Sequence, residues 1–157
     1  MDLIDVCREG NIDKVKLLLS TGQCDVNLQD KDGDTALIAA SSHGQSDTVE
    51  LLLATGQCDV NLQNKVDMTA LMIAINLGHK DIVEILLATG QCNLNLQGFK
   101  QKITALMFLI FRGWTDIIEL ILTKKCQCDL SLKNRDGDTA LDIAKKEGHE
   151  NIIQLLE

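Results

Sequence analysis

The apolar residues of this chain fall in short blocks that alternate with polar stretches in a fixed rhythm. In "MTALMIAINLG", Leu71, Met72, Ile73, Ala74 and Ile75 follow Thr69. A threonine there suits the N-cap of a helix, because its hydroxyl can accept a first-turn backbone N–H. Gly78 is placed to end that short helix. "HKDIVEILLATG" then sets Ile82, Val83, Ile85, Leu86 and Leu87 at helical spacing. Gly90 is placed to stop this second helix in a left-handed conformation. "QCNLNLQGFKQKI" alternates and turns as an extended, hairpin-like loop would. The predicted unit is therefore helix, tight turn, helix, long loop.

The unit recurs along the whole chain. Thr-Ala-Leu stands at Thr35, Thr69, Thr104 and Thr139, at spacings of 34, 35 and 35 residues. Gly10, Gly44, Gly78, Gly113 and Gly148 keep the same rhythm. The stretch "LLLATGQCDVNLQ" at 51–63 is nearly repeated at 17–29 and 85–97. Two helices this short cannot bury their apolar faces alone, whereas stacked neighbours can. The pattern predicts an all-α solenoid of five stacked helix pairs with hairpin-like loops. The units run roughly over 1–33, 34–67, 68–102, 103–137 and 138–157, in a single domain. The first and last helix pairs carry polar outer residues, as terminal repeats require.

These residues resemble the ankyrin repeat. "DKDGDTALIAASSHG" and "NRDGDTALDIAKKEGH" match its D-x-x-G-x-T-P-L-H-x-A-x-x-x-G-H pattern, and the "LL…G…DVN" segments match its second half. The resemblance spans essentially residues 2–157. The departures are regular. Ala36, Ala70, Ala105 and Ala140 stand where the family has proline. Ile38, Met72, Met107 and Asp142 stand where it has histidine, which predicts looser anchoring of the hairpins. One extra residue lies in each "TGQCD", and the third and fourth loops hold a second addition. The fourth unit has Lys125 in place of its glycine, so that helix end should be built differently.

Composition narrows the function. The chain has 157 residues and a net charge of −8, which opposes nucleic-acid binding. No apolar run approaches the roughly 18 residues that span a membrane. "MDLIDVCREG" lacks the basic and apolar regions of a signal peptide. A cytoplasmic or nuclear location follows as the expectation. The charge is uneven: residues 1–93 carry 6 Lys/Arg against 14 Asp/Glu, while residues 94–125 carry 5 against 2. That basic window also contains Phe99, Phe108, Phe111 and Trp114, all the aromatic residues of the chain.

The candidate chemistry is sparse. Cys24, Cys58, Cys92 and Cys128 recur once per unit, and equivalent residues of packed helices lie about 8–10 Å apart. A disulfide needs Cα atoms within about 7 Å, and several sulfurs must gather at about 2.3 Å around one zinc. A one-per-unit ladder satisfies neither, so these thiols read as small, buried apolar residues at the loop base, where the family usually has alanine. Cys126 and Cys128 form the one local pair, which leaves a thiol redox or metal role as an alternative. His43, His79 and His149 read as structural residues at the turns. No nucleophilic arrangement and no phosphate loop is present, so no enzyme and no cofactor is expected.

The remaining candidate is a surface. The resemblance implies that a partner protein lies on a concave face made of loop tips and the exposed side of each first helix. Carried over residue by residue, the informative positions are Lys65, Val66, Met68, Asn76 and Leu77, then Lys100, Gln101, Ile103, Phe111 and Arg112. Trp114 takes the place of a turn histidine. Phe108 reads as core. Apolar and aromatic residues with arginine, rimmed by charge, suit the centre of a binding patch. The reading is a non-catalytic protein-interaction module, an adaptor or scaffold and a monomer, whose partner segment is acidic and apolar. The alternative is an inhibitory or targeting segment of a larger regulatory enzyme. The resemblance further implies that Asn27 and Asn61 are sites of asparaginyl hydroxylation.

Overall fold

The computed structural model describes residues 2–123 and 128–157. The described residues form ten helices and no strand. They are α1 Leu3–Glu9, α2 Ile12–Ser20, α3 Ala36–Ser42, α4 Ser46–Ala54, α5 Ala70–Leu77, α6 Lys80–Ala88, α7 Ala105–Arg112, α8 Thr115–Thr123, α9 Ala140–Glu147 and α10 Glu150–Leu156. The expected five pairs are all present. The substitution of Gly by Lys125 and the residue Cys126 fall outside the described residues.

The chain divides into two compact units, Met1–Cys92 and Asn93–Glu157. In the first, α1, α3 and α5 pack in one row and α2, α4 and α6 in another, each pair closing on itself. In the second, α7 packs on α9 and α8 on α10. Each helix has seven to nine residues, too short to be stable alone in water. What holds them is the apolar side chains between the rows. Val15, Val49, Leu52, Ile82, Val83 and Leu86 in the first unit are fully buried, as are Leu109, Ile110, Ile118 and Ala144 in the second.

The threonine caps form as expected. The hydroxyls of Thr35, Thr69, Thr104 and Thr139 accept the N–H of Ile38, Met72, Met107 and Asp142. Each such cap contributes about 1 kcal/mol. At Thr139 the Asp142 carboxylate returns the bond to the cap N–H, completing a capping box. The turns between paired helices close through backbone bonds, such as the His79 N–H to the Ala74 carbonyl and the His149 N–H to the Ala144 carbonyl. His79 lies over Gly44 and His149 over Gly113, so the histidines keep the structural place read from the sequence. His43 instead bonds the Ala39 carbonyl through Nδ1.

The hairpins are not loosely anchored, contrary to the expectation from the missing histidines. Ile38, Met72 and Met107 enter the core instead. The loops close through their own side chains: Asp30 Oδ1 accepts the N–H of Asp32 and Asp34 at 2.9 Å each. Asn64 does the same for Val66 and Met68 at 3.1 and 3.0 Å. Asn134 does so for Asp136 and Asp138 at 2.9 Å each. A short polar side chain that bonds its own backbone two residues on substitutes for an external anchor.

The repeated "DVNLQ" explains how neighbouring loops join. Asn27 donates its amide to the Gln57 carbonyl at 2.9 Å and accepts the Asp59 N–H at 2.8 Å. Gln29 donates to Gly33 in its own loop and to Gln63 in the next. Gln97 repeats that double bond to Lys102 and Lys133 in the second unit. The asparagine and glutamine are thus rungs of a ladder between loops.

Candidate partner-binding face

Three of the recurring thiols bond the backbone. Cys24, Cys58 and Cys92 each donate through Sγ to the carbonyl six residues back, Leu18, Leu52 and Leu86, at 3.3–3.5 Å. The neighbouring Thr21, Thr55 and Thr89 hydroxyls reach the same carbonyls at 2.7 Å. These carbonyls lie in the last turn of a helix and also accept the Thr21, Thr55 and Thr89 N–H groups, so the recurring cysteine adds a further donor at the helix end. Burial pushes the Cys7 thiol up to about 12, with Cys58 and Asp2 adding to it, and burial also raises Cys58. A thiol held protonated is a poor nucleophile and a poor metal ligand. Among the described residues no group of His, Cys, Asp and Glu could hold a metal ion. Cys126 of the proposed Cys126–Cys128 pair lies outside the described residues.

The loop tips and first helices carry the surface residues. In the first unit, Lys65 and Val66 are exposed at the tip of the loop before α5, and Leu77 is exposed at the end of α5 beside half-buried Asn76. Met68 is a correction: it is only 2 % exposed and belongs to the core. It sits immediately before the Thr69 cap, where an apolar side chain folds back over the first helical turn. Its N–H is held by Asn64 Oδ1, which fixes that inward direction.

In the second unit the loop Gly98–Ile103 is built differently from the others. It has one more residue and no Asx side chain at its base; a backbone bridge closes it, with the Gln97 amide on the Lys102 carbonyl at 2.9 Å. The Gly98 and Ile103 N–H groups donate to each other's carbonyls at 2.8 Å. Phe99 and Lys102 take left-handed φ angles of 58° and 54°. Such angles are outliers for bulky residues. The Phe99 ring folds back to 6.0 Å from the ring of Phe108. Phe108 is buried, as read from the sequence, and Ile103 is half-buried. Phe111, three residues on along α7, is 46 % exposed. Lys100, Gln101, Lys102 and Arg112 are exposed. Gln101 also joins the next loop, accepting the Arg135 N–H at 2.8 Å through its carbonyl. Trp114 is half-buried in the turn between α7 and α8, with its N–H on the Leu109 carbonyl. It therefore stands at the opposite end of α7 from the loop tip, so the aromatic residues are not one cluster.

The model of the family described as ankyrin repeats (3 copies) matches residues 3–98 and 89–157. The chain belongs to the ankyrin-repeat family. A comparison with curated proteins finds none that matches it. Ankyrin repeats are generally modules of protein–protein interaction and are typically non-catalytic. Within this ankyrin chain, the departures lie where the surface changes character. Ser42, Asn76, Phe111 and Lys146 are equivalent positions, as are Asp32, Val66 and Asp136. Among them only Val66 and Phe111 are large and apolar. The sequence pattern also showed Phe99 in the basic window without assigning it a place. Its pairing with Phe108 depends on the left-handed turn, which the extra residue in the third-to-fourth spacing signals but does not specify.

Proposed function

We propose that this ankyrin-repeat chain is a non-catalytic adaptor or scaffold that binds another protein on the face of its loop tips and first helices. The observation that carries this reading is the exposure of Val66, Leu77, Phe99 and Phe111 at positions of that face, where other units place polar groups. Fixed helices and bonded loops offer a preformed surface, so little ordering entropy opposes binding. The surroundings of each apolar residue are polar or basic: Lys65 and Asn76 in the first unit, Lys100, Gln101 and Arg112 in the second. Ile103 and Trp114 border the second group. The free thiols suit a reducing compartment, the cytoplasm or nucleus, and the protein works as a monomer.

Affinity capture tests the reading. The chain with Leu77→Asp and Phe111→Asp should lose partners that the wild type retains, while far-UV circular dichroism stays the same. Equal capture by both proteins would remove the site from this face.

A further inference from the structure

We propose that the second unit captures an acidic peptide segment carrying one bulky apolar side chain. The apolar group would rest on Phe99 and Phe111, and the carboxylates on Lys100, Lys102 and Arg112. This rests on the protein-binding reading above and narrows it to a partner chemistry.

Two observations meet here. The first is aromatic. Phe99 lies tilted against buried Phe108 with the rings 51° apart, and Phe111 follows three residues on along α7. Phe99 at 36 % and Phe111 at 46 % exposure remain open to solvent. The backbone bridge at Gly98–Ile103 holds Phe99 and Lys102 in left-handed angles that their side chains disfavour. Strain of this kind collects at ligand clamps.

The second is charge. Neither the loop 98–103 nor α7 contains an acidic residue. Among the described residues, Lys100, Lys102 and Arg112 hold no ion pair. In the last helix pair of the same unit two cations are neutralised: Lys145 pairs with Glu157 at 3.1 Å and Lys146 with Asp138 at 2.5 Å. Asp136 at the next loop tip stands beside Arg135. Three unpaired cations beside open aromatic surface complement a segment with carboxylates around an apolar anchor. A nucleic acid would also meet aromatic and basic groups. Its backbone charge runs on past the patch, however, and this chain carries a net charge of −8. A short peptide needs only the local field, within a screening length of about 8–10 Å.

The test uses the full chain and a fluorescein-labelled peptide of about 12 residues, spanning roughly 40 Å when extended. Its sequence is Asp and Glu around a central Leu-Phe pair. Fluorescence anisotropy gives the affinity. Trp114, the sole tryptophan, gives a second signal next to Arg112. Saturable binding that weakens as salt rises is expected. The combined variant Lys100→Glu, Lys102→Glu, Arg112→Glu should weaken it by about tenfold or more. Phe111→Ser should weaken it by about tenfold, as should replacing Leu-Phe by Gly-Ser in the peptide. All variants should keep the wild-type melting temperature. Equal or tighter binding of the same peptide with lysine for every acid would overturn the proposal. So would tighter binding of an oligouridine, or indifference to the charge reversals. If the acidic peptide fails but Phe111→Asp still abolishes partner capture, the partner chemistry is wrong and the protein-binding face stands.

Discussion

The loop Asp30–Asp34 and the loop Gly98–Ile103 occupy the same place in their repeats and use their polar groups in opposite ways. In the first, Lys31 and Asp32 are exposed, but the carboxylates of Asp30 and Asp34 are held by bonds within the fold. Asp30 closes its own turn, and Arg8 reaches Asp30 at 2.5 Å, with Asp34 at 3.9 Å. Asn64 donates to Asp34 at 2.8 Å. In the second, the Gly98–Ile103 bridge and the Gln97 amide on the Lys102 carbonyl close the turn, and Phe99, Lys100 and Lys102 are left at the surface. A loop whose carboxylates are held by internal bonds serves as scaffold. A loop whose tip side chains make no such bonds leaves them available to a partner.

The largest effect should come from Gly33→Ala. Gly33 has φ 79°, and an added Cβ would lie 2.8 Å from the backbone nitrogen of Lys65, whose N–H bonds the Asp32 carbonyl. A left-handed alanine costs about 1–2 kcal/mol, and displacing packed backbone adds about 1 more. Gly137 has the same kind of angle but nothing within 4 Å of the added carbon. Urea unfolding should therefore show a loss of about 2–3 kcal/mol for Gly33→Ala and only the left-handed cost, about 1–2, for Gly137→Ala. Equal losses would mean that the neighbouring loop does not press on Gly33.

Arg8→Ala should cost about 1–2 kcal/mol near neutral pH, since it strips a charged partner from half-buried carboxylates. The loss should depend on pH. Burial opposes ionisation of Asp30, but the Arg8 guanidinium and the N–H groups of Asp32 and Asp34 outweigh it and hold the carboxyl below its usual range. A depressed carboxylate stabilises the fold fully above its unfolded value of about 3.9 and loses that stabilisation as pH falls through the folded value. The gap between wild type and Arg8→Ala should thus be widest at neutral pH and shrink below about pH 4. A gap that stays constant through acid would assign the loss to packing of the arginine stem instead.

Much of this was legible in the sequence, and the limits have physical causes. The threonine caps, glycine stops and five helix pairs follow from local rules that act within one turn of helix. The recurring cysteine was read as a buried apolar residue, yet Cys24, Cys58 and Cys92 are half-buried and donate to Leu18, Leu52 and Leu86, a role set by the path of the chain after the helix. The burial of Met68 escaped because a loop-tip position gives no sign of which way the side chain turns. Asn64 decides that, through a bond from its side chain to the Met68 N–H. The hairpin anchoring was misjudged for the same reason: it lies in Asp30, Asn64, Asn134 and the Gln29 ladder, none of which the missing histidine points to. Of the surface residues, Val66, Leu77 and Phe111 were found at exposed places, while the pairing of Phe99 with Phe108 required a left-handed turn that residue type alone argues against.

A smaller effect of opposite sign is expected at Asp67. Its φ of 60° places it in the conformation that Gly33 and Gly137 adopt at the same loop position. Aspartate tolerates that region better than most residues but still pays a steric cost. Asp67→Gly should raise stability by about 0.5–1 kcal/mol, seen as a higher urea midpoint with an unchanged slope. A drop would show that the Asp67 side chain holds the loop in a way its backbone angle does not reveal.

Phe99→Gly has two opposed consequences for stability. Glycine removes the left-handed strain of about 1–2 kcal/mol. It also removes a ring that is only 36 % exposed, losing about 2–3 kcal/mol of buried apolar area and about 0.5–1.5 kcal/mol of pairing with Phe108. The net should be a loss of about 1–3 kcal/mol, below the roughly 3–5 kcal/mol of a core phenylalanine. Binding of the acidic Leu-Phe peptide should fall by about tenfold, because half of the open aromatic surface is gone. A strained residue whose replacement costs the fold less than a core ring and weakens capture is held there for the partner. If stability falls by several kcal/mol while peptide binding is kept, Phe99 is a core residue of its loop, and the distinction between the scaffold loop and the open loop fails at that position.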